Sequence, residues 1–565
     1  MRWSLKPKPD PNNVSHLQQA LGVSTSIAEL LAQRQIKNYA QAKDFFRPEL
    51  TQLHDPFLMK DMDLAVARIK TAIATNERIM VYGDYDVDGT TSVALMSSYL
   101  LSLYPHITTY IPDRYAEGYG VSYKGIDFAD DNEISLIIAL DCGIKAIEKV
   151  TYAKEKGIDF IICDHHRPGE QIPNAIAVLD PKRIDCNYPY KELCGCGVGF
   201  KLIQAYHSTL QADFNDIIPF LDLVATAIGA DIVPITGENR TLAFYGLQVI
   251  NKQPRPGFKA LIAQTKKQEL SITDVVFMIA PRINAAGRMK HGLHAVELLT
   301  ETDYPTAINF AKAIENYNTD RKEADKKITK EALQQIEENN ETEQFSTVVY
   351  HPEWHKGVIG IVASRLTETY YRPTLVFTKS GNKLAASARS VIGYDVYNAL
   401  EASSEFIEQF GGHKYAAGLT LTEENYPKFK SKFEEVVKAQ IDPKLLSPEI
   451  EIDQNLDFDQ IDAKFYRILK QFAPFGPMNR APVFMTKNVV DTGYAKTVGA
   501  DDKHLKCHFK CPQTGITFAG IGFNLGHKLP LLQNQSPVNV VYNLDENEWN
   551  GTVSLQLRIK DIKKA

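Results

Sequence analysis

The sequence predicts an α/β protein of several domains: a mainly parallel sheet, a long connecting helix, a second smaller α/β unit and a C-terminal β-barrel. Three observations predict it. Apolar runs of strand length at 78–83, 107–112, 134–140, 158–163 and 175–179 alternate with helical patterns, as a parallel sheet with helices on both faces requires. From about 300 to 342 an apolar stripe (Ile308, Ala311, Ile314, Ile328, Ala332, Ile336) recurs at helical spacing opposite a charged face. Beyond about 445, short strand-like runs are separated by turn signals.

Bulk properties agree. A chain of 565 residues exceeds what one core can organise and implies three or four domains. Hydrophobic content of 44% and charged content of 23% are those of a soluble globular protein. The net charge of -6 excludes a global basic field, so any nucleic-acid surface must be a local patch. Seven cysteines, an odd number in a long chain, read as reduced thiols of a cytoplasmic protein. No apolar core of signal-peptide length opens the chain, and no stretch of 18 apolar residues offers a membrane span.

Residues 1–50 read as a small helical lead-in, with helical spacing over 14–21 and 27–34 and no catalytic constellation. In the next 200 or so residues, most strand-like runs end in chemistry. The first ends in Asp84, Asp86 and Asp88, followed by Gly89. The second ends in Pro112-Asp113-Arg114, the third in Asp141-Cys142-Gly143 and the fourth in Asp164-His165-His166. Asp231 follows a further apolar run. Singly, an Asp/Gly turn reads as well as a solvated loop, and Asp141 or Asp231 as a helix cap. An EF-hand is excluded, because position 12 counted from Asp84 is Leu95 instead of Glu. Strand ends in a parallel sheet share one edge, where ligands bind, so these groups are expected to converge. Carboxylates mixed with imidazoles suit Mn²⁺ or Mg²⁺ better than a thiolate-rich zinc site.

The ordered motifs Gly-Asp-Tyr-Asp-Val-Asp-Gly (83–89), Leu-Asp-Cys-Gly (140–143) and Cys-Asp-His-His (163–166) resemble those of the DHH phosphoesterase superfamily. The stretches 111–120, 281–289, 354–366, 386–390 and 411–418 narrow the resemblance to the RecJ family of single-strand-specific exonucleases, over nearly the whole chain after about residue 40. Asp180-Pro181 departs from the Asn-Pro of the pattern, and 477–482 from its usual Pro-Gly-Asn-Pro run. The resemblance implies five parts: an N-terminal helical segment (1–50), a DHH catalytic domain (51–300), a connecting helix (301–342), a DHH-associated substrate-binding domain (343–444) and an OB-fold nucleic-acid-binding domain (445–565).

It also implies two divalent cations, Mn²⁺ or Mg²⁺, and 5′-to-3′ release of mononucleotides from single-stranded DNA in recombination and repair. Asp86 is expected to hold one ion, Asp88, His165 and Asp231 the other, and Asp141 to bridge them. Asp84, Asp164 and His166 are expected to take part in catalysis, and Arg114, Arg282 and Arg288 to hold phosphates. The implied setting is a cytoplasmic monomer acting with a single-strand-binding protein and a helicase. An alternative is a DHH-type hydrolase of short oligonucleotides or cyclic dinucleotides, which would have no need of a second binding module.

In the second α/β unit, His355-Lys-Gly-Val-Ile-Gly360 reads as a helix start able to meet an anion, with Ser387, Arg389 and the Gly411-Gly412-His413 turn as further phosphate donors. On the connecting helix, Asn316, Asn318 and Arg321 are further candidates for substrate phosphate. In the barrel, His504, Cys507, His508 and Cys511 resemble a chelate in print only. On a strand they alternate, with the thiols inward and His504, Lys506, His508 and Lys510 outward. That basic face, with Phe523 and Trp549 as stacking platforms, is a candidate strand contact, although core packing suits both rings better. Cys194 and Cys196 lack a second pair and are not read as a zinc site.

Overall fold

A computed structural model describes residues 1–549 and 551–565, except for the side chain of Trp549, so that platform lies outside the described residues. The catalytic-type sheet has five parallel strands: β2 (Arg78–Gly83), β3 (Ile107–Tyr110), β4 (Ile134–Leu140), β5 (Asp159–Cys163) and β6 (Ala177–Leu179), following a short N-terminal strand β1 (Arg2–Leu5). Their order is β3-β2-β4-β5-β6. β4, Ile-Ser-Leu-Ile-Ile-Ala-Leu, is apolar almost throughout because helices cover both its faces. The chain runs from β2 to one side, then crosses back to lay β4 on the other. The carboxyl ends of β2 and β4 therefore flank a topological switch point, where open α/β sheets leave a crevice.

The 35-residue helix Tyr304–Glu338 starts at Asp303, whose carboxylate accepts from the Thr306 amide at 2.9 Å, with Pro305 in its first turn. Ala307, Ala311 and Ile314 belong to the core of the first sheet, whereas Ile328, Ala332 and Ile336 pack with Val349, Trp354 and Val362 of the second unit. One helix thus anchors both units.

The second unit is a five-stranded mixed sheet: β7 (Thr347–Tyr350), β8 (Thr374–Ser380), β9 (Lys383–Arg389), β10 (Gln409–His413) and β11 (Ala416–Leu421), in the order β10-β11-β9-β8-β7. Only β7 and β8 run parallel.

The last unit follows β12 (Glu449–Ile452) and consists of β13 (Gln454–Asn455), β14 (Phe484–Asp491), β15 (Lys496–Val498), β16 (His504–Lys510), β17 (Thr517–Gly522), β18 (Val538–Trp549) and β19 (Thr552–Lys564). β14 pairs with both β18 and β16, which rolls the sheet into a barrel. Cys507 is buried with Leu505 and Phe509, while Lys506 and Lys510 are exposed. The alternation therefore separates thiols from imidazoles, and no chelate forms there.

The N-terminal helices are not a separate lead-in. Leu17, Ile27, Leu30 and Leu31 share one core with Phe465, Leu469 and Phe472 of the barrel unit, and β1 pairs with β12. Sequence spacing shows which face of these helices is apolar but not what covers it.

Candidate active site

The register of the first sheet builds the acidic floor. Gly83 lies opposite Leu140, Leu140 opposite Cys163, and Cys163 opposite Leu179. The next residue on each strand is an aspartate: Asp84, Asp141, Asp164 and Asp180. All four are buried at one edge. Asp86 caps the helix Val87–Leu101, accepting from the Gly89 amide at 3.0 Å. Its position in that turn brings Asp88 back over the edge, where its two oxygens accept from the Gly195 and Cys196 amides at 2.7 and 2.8 Å. Gly195 is required there, since a Cβ would lie 2.5 Å from the Asp141 Cβ and 2.8 Å from its Oδ1. Asp141 takes a left-handed backbone (φ 58°), tolerable for Asp and followed by Gly143, which turns its carboxylate inward.

His165 lies at the centre. Its Nε2 is 3.2 Å from Asp141, 3.6 Å from Asp231 and 3.7 Å from Asp88. Asp231 arrives from the C-terminus of the helix Leu221–Ala230. Neither ring nitrogen of His165 has a hydrogen-bond partner, nor do Asp141 Oδ1 and Asp84 Oδ2, although all four atoms are buried. Such orphaned groups are costly unless something absent from a bare chain satisfies them.

The electrostatics point the same way. Burial, then Asp88 and Asp86, push the Asp141 carboxyl well above the usual range, and burial and Asp86 do the same to Asp84. Asp88 is pushed up to about 7 by burial and Asp86. Asp231 rises to about 8 through burial, Asp88 and Asp86. Burial, then the neighbouring His166, lowers His165 to about 3, so it is a neutral imidazole with lone pairs to offer. Carboxylates crowded in a low dielectric cannot all ionise without cations among them. Oxygen and imidazole donors fit Mn²⁺ or Mg²⁺. The nearby thiols do not compete: burial pushes Cys142, Cys194 and Cys196 well above the ordinary thiol range.

Asp164 faces the other way. It accepts from the amides of Ile144, His165 and His166 and from His166 Nδ1 at 2.7 Å. Burial opposes its charge, yet these donors hold it at about 2. In turn, against burial, Asp164 holds His166 up at about 9. The other His166 nitrogen meets the Tyr119 hydroxyl at 3.1 Å.

A cationic wall faces this floor. Arg114 stacks 4.5 Å over the Tyr85 ring, inside the Asp84-Tyr85-Asp86 turn. Gly287 allows the helix Ala280–Met289 to approach the Tyr85 carbonyl, where a Cβ would sit 2.5 Å from it, and so brings Arg288 forward. Burial, then Arg114, Arg389 and Arg321, hold Arg288 down to about 9, with Asp86 opposing. Arg389 donates to Ser387 Oγ at 3.1 Å and is likewise lowered by burial and Arg114. His355 is lowered by burial and Arg114 and packs edge-on to Tyr115. His413, at the end of β10, is lowered by burial and by His166, Lys145 and Lys182, and so looks across at the first domain.

Two expectations need correction. Arg282 is already paired: its Nε lies 2.6 Å from Glu315 of the long helix, which occupies its charge. The stretch His355–Gly360 does open a helix, but its first amides are not free to meet an anion. The helix begins at Ile359, and the Gly357, Val358 and Ile359 amides already donate to His355 Nδ1 or the His355 carbonyl. The reading of the residues also gave no role to Tyr119, the Gly195 and Cys196 amides or Asp180. Tyr119 lies in a motif that the sequence singles out. Asp180, raised to about 7 by burial, is signalled by its place directly after the apolar run 175–179 and by its departure from Asn-Pro.

Residues 78–228 match the DHH family N-terminal domain, 343–439 the DHHA1 domain and 452–561 the RecJ OB domain. The chain is 35% identical to the single-stranded-DNA-specific exonuclease RecJ of Bacillus subtilis, over 99% of this chain and 70% of that protein. It is 34% identical to Escherichia coli RecJ, over 89% and 90%. The crystal structure of Thermus thermophilus RecJ in complex with Mn²⁺ superposes with a TM-score of 0.85 at 27% identity, covering 100% of this chain and 80% of that one. A RecJ structure bound to manganese covers 70% of this chain and 98% of its own, at 31% identity and a TM-score of 0.61. The shared domain order, the length of these matches and the acidic edge opposite an arginine wall lead to one conclusion: the chain belongs to the RecJ family.

Proposed function

We propose that the protein is a metal-dependent exonuclease specific for single-stranded DNA, removing mononucleotides in the 5′-to-3′ direction during recombination and repair. The observation that carries this reading is the convergence of Asp88, Asp141 and Asp231 on His165 Nε2 within 3.7 Å, with buried donor atoms left unpartnered. Asp86, Asp88, Asp141, His165 and Asp231 would hold two divalent cations, Asp141 between them. When bound, such cations supply Lewis acidity at a phosphoryl oxygen and a water acidified at neutral pH.

The chain's own residues do the rest. The Gly195 and Cys196 amides orient Asp88, while the three amides on Asp164 fix its carboxylate against His166. His166 thereby keeps its proton on Nδ1 and presents positive charge beside the floor. Asp84, buried behind Asp86, disfavours an empty site. Arg114, Arg288 and Arg389, with Ser387, His355 and His413, would grip phosphates; guanidinium groups match phosphate in bidentate fashion. A terminal phosphate carries more charge than an internal one, and a dense arginine cluster suits it, which supports attack from a strand end.

The reading also sets the protein in the cytoplasm, where six buried thiols and Cys511 stay free, as a monomer supplied with strand by a helicase and a single-strand-binding protein. No described helix is long and apolar enough to cross a membrane. Digestion of single strands labelled at the 5′ or the 3′ end, with Mn²⁺ and with Asp141→Ala as control, tests the proposal. Early release of the 5′ label as mononucleotide is expected; early release of the 3′ label, or no release, contradicts it.

A further inference from the structure

The long helix carries a second electropositive feature, outside the arginine wall. Glu323, Lys327 and Glu331 form one row along it, alternating in sign, with Lys327 3.9 Å from Glu331. The adjacent row reads Asn318, Lys322, Lys326, Lys330, Gln334: hydrogen-bond donors throughout, with three like charges at i, i+4 and i+8. Like charges at that spacing destabilise a helix, and the neighbouring row shows how the same helix avoids the cost elsewhere. None of the three lysines has an ion-pair partner among the described residues.

These lysines line an open groove of about 620 Å³ between the long helix and the helix Ile359–Tyr370, which contributes Arg365. Of the two carboxylates there, Asp325 is buried against Arg365 at 2.7 Å, so Glu337 at the far end is the one left unpaired. The near end leads to the cleft. Arg321 donates to Asn318 Oδ1 at 2.9 Å, and its charge acts on Arg288 of the wall. Asn318 is 1% exposed, and its Nδ2 and Arg321 Nε lack acceptors. From Lys322 to Lys330 the row rises about 12 Å, enough to follow more than one phosphate of an extended strand.

We propose that the row Lys322–Lys326–Lys330 is a track for the sugar-phosphate backbone of the single strand outside the arginine-lined cleft. In a chain of net charge -6, three contiguous lysines without ion-pair partners, near the phosphate wall, are where a polyanion gains most from counterion release. Density of positive charge without exposed aromatics makes the contact sequence-independent. The inference rests on the exonuclease reading above and adds to it a binding surface on the connecting helix.

The test is the triple variant Lys322→Ala/Lys326→Ala/Lys330→Ala, in a full-length chain; alanine is the strongest helix former, so the helix is retained. Hydrolysis of a long oligo-dT strand is compared with that of a dT tetranucleotide, which occupies the cleft alone. Expected is a loss in kcat/KM of about tenfold or more on the long strand, a salt dependence shallower by about 2 in log–log slope, and a clearly smaller loss on the tetranucleotide. The charge-retaining Lys→Arg triple variant should restore the long-strand rate. An unchanged long-strand rate overturns the proposal, as does an equal loss on both substrates that the arginine variant does not repair. Loss of binding to a poly-glutamate peptide with the long-strand rate intact assigns the groove to an acidic protein partner and overturns it too. If the unmodified protein degrades neither strand, the exonuclease reading fails instead.

Discussion

The two sides of the cleft are assembled in opposite ways. The acidic floor comes from one sheet, where four neighbouring strands end in register and each is followed by an aspartate. The cationic wall is gathered from four segments far apart in sequence: Arg114 after β3, Arg288 on a short helix, Arg321 on the long helix and Arg389 at the end of β9. A floor set by hydrogen-bond register is rigid and tolerates no added atom. A wall that depends on how two domains sit across one helix is a collection of separate grips, each losable without loss of the others. Damage to the floor should therefore abolish chemistry, and damage to the wall should weaken strand binding by degrees.

The largest effect is expected from Asp141→Ala, which removes the carboxylate shared by the cage. A fall in kcat/KM of about a thousandfold or more in saturating Mn²⁺, with the far-ultraviolet circular dichroism intact, is the outcome that sustains the contrast. Next comes Arg389→Ala: a loss of about a hundredfold on single strands, with Mn²⁺ affinity by calorimetry unchanged, would show that wall and floor act separately. Coupled loss of metal affinity would break the comparison. Gly195→Ala leaves every proposed ligand in place but drives a Cβ against Asp141. Its expected signature is about ten- to hundredfold weaker Mn²⁺ binding, a loss that excess metal partly restores. The smallest effect on activity belongs to Arg282→Ala. Its partner is the largely buried Glu315, so the cost falls on stability, about 1–3 kcal/mol, while kcat/KM changes by less than a few-fold. A loss as large as that of Arg389→Ala would return Arg282 to the phosphate wall.

The same asymmetry decides what could be read from the sequence. Continuous apolar runs ending in acids are local signals, and a parallel sheet carries the ends of its strands to one edge by geometry alone, so the approach of Asp84, Asp141 and His165 was legible from the sheet, whereas Asp88 and Asp231 reach it from helix ends. The wall was legible only as residue types. Arg282 and Arg288 lie six residues apart on one short helix, yet only the packing of that helix on Tyr85 and on Glu315 shows that one is already paired and the other stands among the arginines of the wall. Asp180 carried the same local signal, an acid directly after the apolar run 175–179, but Pro181 behind it made it read as a turn; the pairing of Cys163 with Leu179 shows that it joins the edge. The union of the N-terminal helices with the barrel was invisible because an amphipathic face names no partner.

Whether the acidic floor holds cations decides most directly between an active metal site and a bare acidic edge. Crystals grown with Mn²⁺ and measured at the manganese absorption edge would locate them without reference to activity. Two anomalous peaks are expected inside the cage, one within coordination distance of Asp86, the other of Asp88, His165 and Asp231, with Asp141 near both. A cage without an anomalous peak under saturating Mn²⁺, or peaks held by other residues, would contradict this arrangement.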